Sequence, residues 1–201
     1  VADASGNGAG TCLILLGGPG AGKGTQAARL AARLGIPRIS TGDMLREAMR
    51  QGSEVGRRAA PFLERGDLVP DRVLLDVVKK RLEEPDCAAG YILDGFPRTV
   101  AQAESFGEVL EGRGAGALVI HVDVPREELS RRLLARGRDD DQASIVKRRL
   151  DEYQHHTAPL IDYYRGRLRF ERVDGMQPVE AISEEILAVL SAGPRDGQAR
   201  G

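Results

Sequence analysis

Tryptophan is missing from this 201-residue chain, and four Tyr and four Phe hold the aromatic share to 4%. Few side chains are therefore available for stacking on unpaired bases. A surplus of one charge sign is missing too: 29 Lys and Arg stand against 30 Asp and Glu, a formal net charge of −1. Both features exclude a general nucleic-acid binder, and any anion-binding role must come from local clustering of Arg and Lys. Cysteine is scarce. Cys12 and Cys87 form no CxxC pair, which removes a disulfide framework and a cysteine-based zinc cluster and favours a reducing, cytoplasmic compartment. Cys12 lies in an apolar run and reads as a small core residue. No apolar stretch is longer than that run, Cys12 to Leu16, which is far too short to cross a bilayer. The first ten residues, VADASGNGAG, carry neither a basic nor an apolar region, so no signal peptide is visible.

What is present suits one globular core: 41% hydrophobic and 29% charged residues, with no internal repeat. Residues 1–10 and 193–201 are Gly-rich and polar and are expected to be flexible tails around a domain at 11–192. Short apolar runs predict strands at Thr11–Leu16, Arg38–Ser40, Tyr91–Asp94, Ala117–Val122 and Leu168–Val173. Several lack alternation, as strands buried on both faces do. Helical spacing predicts helices at Thr25–Leu34, Asp71–Glu83 and Pro178–Leu190. Alternation of this kind implies an α/β fold, a parallel sheet flanked by helices and joined by right-handed crossovers. Ligands in such sheets bind at the carboxyl ends of the strands.

The loop after the first strand carries the strongest local signal. Gly17-Gly18-Pro19-Gly20-Ala21-Gly22-Lys23-Gly24-Thr25 leaves a strand and opens a helix. Its glycines allow successive N–H groups to face one anion at a helix N-terminus, and Lys23 supplies a mobile positive charge for the β- and γ-phosphates. The usual Ser or Thr after the lysine is replaced by Gly24, with Thr25 one position late, so the hydroxyl that commonly touches Mg²⁺ is missing. Asp94 ends an apolar strand beside this loop, where a carboxylate can hold Mg²⁺ through water. His121, His155 and His156 read as ordinary fold or surface residues.

Four further segments occur in order: Ser40-Thr41-Gly42-Asp43-Met44-Leu45-Arg46, Gly66-Asp67-Leu68-Val69-Pro70-Asp71, Asp94-Gly95-Phe96-Pro97-Arg98 with Gln102, and Arg136-Gly137-Arg138-Asp139-Asp140-Asp141 running on to Arg149 and Tyr153. With Gly20-to-Thr25 (GAGKGT), they make the chain resemble adenylate kinases over roughly residues 11 to 190. The resemblance implies a P-loop fold with a five-stranded parallel sheet, a small helical insertion at 40–69 that binds the nucleoside monophosphate, and a lid at 136–142. Only Gly137 separates Arg136 from Arg138 and no cysteine is near, so the lid resembles the short, zinc-free type.

The same resemblance implies reversible transfer of a phosphoryl group between ATP and AMP, giving two ADP, with Mg²⁺. Gly20, Ala21, Gly22, Lys23, Gly24, Thr25, Arg136 and Gln177 match positions that bind ATP, the last through its backbone. Thr41, Arg46, Asp67, Leu68, Val69, Gly95, Phe96, Pro97, Arg98, Gln102, Arg138 and Arg149 match the AMP side, with Gln102 offering one donor and one acceptor to adenine. Lys23, Arg98, Arg136, Arg138 and Arg149 are the expected catalytic group. An AMP phosphate oxygen is already ionised at neutral pH, so no general base is required, and positioning with electrostatic stabilisation suffices. Asp139, Asp140 and Asp141 could pair with lid arginines or cap the next helix. A UMP/CMP kinase would carry Ala in place of Thr41, and a catalytically silent nucleotide-binding protein need not retain the cations. The chain is expected to be a monomer that binds neither nucleic acid nor membrane.

Overall fold

The computed structural model describes residues 10–114, 116–138 and 141–192. Apart from Gly10, both expected tails lie outside those residues, as do Asp139 and Asp140.

β1 (Thr11–Leu16) is the centre of a five-stranded parallel sheet. It pairs on one side with β3 (Gly90–Asp94) and on the other with β4 (Ala117–Asp123). β2 (Arg38–Ser40) and β5 (Arg169–Asp174) form the edges, in the order β2-β3-β1-β4-β5. Cys12 to Leu16 are almost wholly buried, as the non-alternating apolar run requires of a strand covered on both faces. Side chains nevertheless alternate: Cys12, Ile14 and Leu16 enter one core cluster, Leu13 and Leu15 the other.

The helices that cover these faces are built from the apolar stripes in the sequence. α1 (Lys23–Leu34) contributes Ala27 and Leu30, and α9 (Val179–Ser191) contributes Ile182 and Ile186, to the cluster holding Leu13. On the opposite face α4 (Asp71–Leu82), α5 (Val100–Gly112) and α8 (Pro159–Arg165) contribute Leu74, Phe106 and Leu160. α1 opens two residues before the predicted start, because Gln26 N–H already donates to Gly22 C=O at 3.0 Å. β4 extends one residue beyond prediction, to Asp123, and β5 starts and ends one residue later than predicted, so that Asp123 and Asp174 pair in register. Between β2 and α4 the chain leaves the layers as a helix pair, α2 (Thr41–Arg50) and α3 (Glu54–Arg65), capped by the hydroxyls of Ser40 and Ser53. α6 (Arg126–Arg136) and α7 (Ala143–Glu152) follow β4, and one turn of π-helix, Tyr153–Thr157, joins α7 to α8. Among the described residues no helix is long and apolar enough to cross a membrane. Both cysteines are free thiols in the core.

The core also fixes the loop that leaves β3. Phe96, fully buried, meets Phe106 of α5 edge to face, with ring centroids 5.4 Å apart. Phe106→Ala is expected to cost about 3–5 kcal/mol of unfolding free energy, measured by urea denaturation. Leu at the same position should recover more than half of it.

Candidate active site

Lys23 folds back over its own loop. Its ammonium donates to the carbonyls of Gly17 at 2.7 Å and Gly18 at 2.9 Å, while Gly17, Gly20 and Gly22 hold φ values of 144°, 88° and 91°. Burial of the ammonium lowers the Lys23 pKa to about 8. Arg98, Arg149 and Arg136 push in the same direction, and Asp94 opposes them.

β3 delivers the second part of the site. The Gly95 carbonyl at its end accepts from the Thr41 hydroxyl and from Arg98 Nε, each at 2.8 Å. The Phe96–Pro97 peptide bond is cis. Arg98 is then pinned through its main chain: its N–H donates to Gln102 Oε1 at 2.7 Å, and its carbonyl accepts from the Thr157 hydroxyl at 2.8 Å. Burial, with Arg149 and Arg46 nearby, lowers the Arg98 pKa to about 10 against the pull of Asp94. Ser40 lies beside Asp94 across β2 and β3, which places the start of α2 next to the phosphate loop. There Arg46 pairs with Asp43, and Arg38 pairs with both Asp43 and Asp94.

The segment after α6 supplies the third part. Asp141, only 7% exposed, accepts from Arg136 at 2.7 and 2.9 Å, from the Arg138 N–H at 3.0 Å and from Arg149 at 3.2 Å. Burial alone would raise its carboxyl, but these donors hold it below the usual range. The Arg138 guanidinium has no carboxylate partner among the described residues.

These parts enclose one cavity of about 710 Å³. Lys23, Arg46, Arg98, Arg136, Arg138, Arg149 and Asp94 line it, together with Gly20, Gly22, Gly24, Thr25, Leu68, Gly95 and Pro97. Ala21, Val69 and Phe96 are buried behind the wall. Thr41 is fully buried with its hydroxyl turned to Gly95, a joint between β3 and α2. Asp67 pairs with Arg65 at 3.0 Å and with Arg148. Gln177 pairs with Glu185 at 3.0 Å, away from the lining. Gln102 is 1% exposed, and its amide orientation is unambiguous: the oxygen accepts from Arg98 N–H, while the nitrogen donates to Asp71 at 2.6 Å.

Sequence reasoning missed several lining residues. Arg132 lies one helical turn before Arg136 on α6 and reaches Gly175 C=O at 3.1 Å, held by Glu128 at 2.6 Å. Its i, i+4 spacing from Arg136 was the available signal. Glu152 ends α7, and Thr157 enters with Tyr153 through the π-helical turn that follows, which has no sequence signature. Arg38 enters through strand register, and Asp43 through the first turn of α2.

The adenylate kinase family model matches residues 15–168. An adenylate kinase of Methylobacterium radiotolerans is 48% identical over 189 residues, covering 89% of this chain and 94% of the relative. An adenylate kinase 1 of Synechocystis is 49% identical over 175 residues, covering 87% and 94%, and an adenylate kinase of Archaeoglobus fulgidus is 43% identical over 210, covering 89% and 97%.

The lowered Lys23 pKa has a measurable consequence. Near pH 8.5 much of Lys23 is neutral in the free protein, and a bound polyphosphate restores its charge. ATP binding at pH 8.5 should therefore take up a fraction of a proton, seen as buffer-dependent heat in calorimetry. The Lys23 contribution should vanish at pH 6, where the amine is already protonated, and in Lys23→Met.

Proposed function

This chain belongs to the adenylate kinase family, and from that premise we propose that it carries out ATP + AMP = 2 ADP in the single cavity between the phosphate loop, α2 and the segment after α6. One observation carries the assignment to this cavity: Lys23, Arg46, Arg98, Arg136, Arg138 and Arg149, drawn from distant parts of the chain, line the same space. Two polyanions can meet only where such a field cancels their repulsion.

The helical excursion at 40–69 is assigned to the monophosphate and the segment 136–142 to a lid. ATP phosphates replace the Gly17 and Gly18 carbonyls as partners of Lys23. Arg46 and Arg98 grip the AMP phosphate. Arg136 and Arg149, aligned by their shared Asp141, and the guanidinium of Arg138 close on the transferring group. An AMP phosphate oxygen attacks the γ-phosphorus in line as the bond to the β-bridging oxygen breaks, and no proton need move. Arginine suits this because its planar fork gives two directed donors and keeps its charge. Adenine reading by Gln102 requires its amide to exchange Asp71 and the Arg98 N–H for the base.

Magnesium carried with ATP would neutralise charge on the β- and γ-phosphates. Asp94 fits such an ion as a carboxylate at the phosphate loop, with no donor on Oδ1 among the described residues. Among those residues no three His, Cys, Asp or Glu side chains form a metal cage, so phosphate and water would supply most ligands. The protein is proposed to act as a cytoplasmic monomer, in keeping with its free thiols.

A coupled assay with MgATP and AMP, GMP, UMP or CMP is expected to give ADP formation with AMP at the highest kcat/KM. Preference for UMP or CMP would assign the acceptor side to a pyrimidine. Arg138→Ala is expected to lower kcat by about 10²–10³-fold, the loss of one preorganised donor, with ATP affinity in direct titration changed less than about threefold. Equal losses in both would assign Arg138 to ground-state binding.

A further inference from the structure

Asp94, assigned above to the metal side of the nucleotide, is already held by a cation. Arg38 Nη2 lies 2.7 Å and Nε 3.2 Å from Asp94 Oδ2, and the same Nη2 lies 2.9 Å from Asp43 Oδ2. One guanidinium thus bridges two carboxylates. The reach follows from register: Ser40 sits beside Asp94, and Arg38, two residues earlier, projects from the same face of β2. The Asp94 side chain is 11% exposed and that of Arg38 29%, so solvent screens this pair less than a surface one.

Gly24 makes room for the arrangement. A Cβ at this position would stand 3.1 Å from Arg38 Nη2 and 3.2 Å from Asp94 Oδ2. Where common phosphate loops place a hydroxyl for the metal, this chain has an ion pair packed against bare backbone. Asp43 supplies a second anchor, so Arg38 can release Asp94 without becoming an unpaired charge in a half-buried site.

We propose that Arg38 is a positioning residue that competes with the metal–nucleotide complex for Asp94 and withdraws onto Asp43 when that complex arrives. The inference rests on the reading of Asp94 given above. Without nucleotide, Arg38 keeps the carboxylate oriented and its charge balanced. When the metal–nucleotide complex binds, the gain at Asp94 is reduced by the contact that Arg38 gives up. The pair therefore weakens the advantage of metal-bound over metal-free nucleotide, and it does so through a residue outside the phosphate loop.

Calorimetric titration with ADP, in Mg²⁺ or in EDTA, measures that advantage as a ratio of dissociation constants without relying on turnover. Arg38→Gln is expected to raise the ratio on the order of fivefold, the scale of one partly screened ion pair. Arg38→Lys, which keeps charge but loses the bridging fork, should fall between Gln and the native protein. Asp94→Asn should drop the ratio below native. An unchanged or lowered ratio in both Arg38 variants, with Asp94→Asn still lowering it, overturns the competition while leaving the Asp94 assignment standing. A native ratio in Asp94→Asn removes the assignment and the competition together. Melting of the unliganded variants establishes that each is folded.

Discussion

Like charges gathered around one cavity repel, and much of this structure is arranged to tolerate that repulsion. Lys23, Arg46, Arg98, Arg136, Arg138 and Arg149 share a space of about 710 Å³. The lowered pKa values of Lys23 and Arg98 have burial as their first cause and the neighbouring cations as the next contributors of the same sign to each. A site of this kind is electrostatically unfavourable when empty and favourable when filled with phosphate. The frame must supply the difference, and the two core clusters on either side of β1 do so by fixing the strands and helices that hold the cation-bearing segments.

Counter-charges are placed where they orient cations without filling the cavity. Asp141 is buried and draws Arg136, Arg149 and the Arg138 N–H into one fan. Its four acceptor contacts resemble those an anionic oxygen pair of a substrate would make, so the arginines are held in a fork geometry before any phosphate arrives. Asp43 does the same for Arg46 and Arg38 near α2. Both carboxylates sit lower than the ordinary range despite burial, because the donors they gather outweigh the cost of desolvation.

Local signals made much of this legible. β1 and β2 follow the predicted bounds because apolar runs and a sharp Gly35 stop leave little choice, and the phosphate loop was visible from glycine spacing alone. The convergence of arginines from separate segments came through resemblance, since spacing along the chain does not report which strand ends are adjacent. What could not be read depended on tertiary register. Arg38 reaches Asp94 across 56 residues because β2 pairs with β3. Gln102 is tied to Asp71, and Thr157 to the Arg98 carbonyl, through packing of α4, α5 and the π turn. Thr41, which looks like a specificity marker in sequence, is also the joint that fixes Gly95.

Many of the polar groups expected to meet substrate already have partners inside the protein. Lys23 has two loop carbonyls, Gln102 has Asp71 and a backbone N–H, and Arg136 has Asp141. Binding therefore exchanges internal hydrogen bonds for ligand ones, and only the difference adds to affinity. Such a site cannot hold either nucleotide as tightly as its charge suggests. Among the described residues the guanidinium of Arg138 stands apart, having no carboxylate there to give up. Interactions that cost little to redirect and strengthen as charge develops on the transferring group favour the transition state over the ground state, which is the condition for rate as opposed to mere retention.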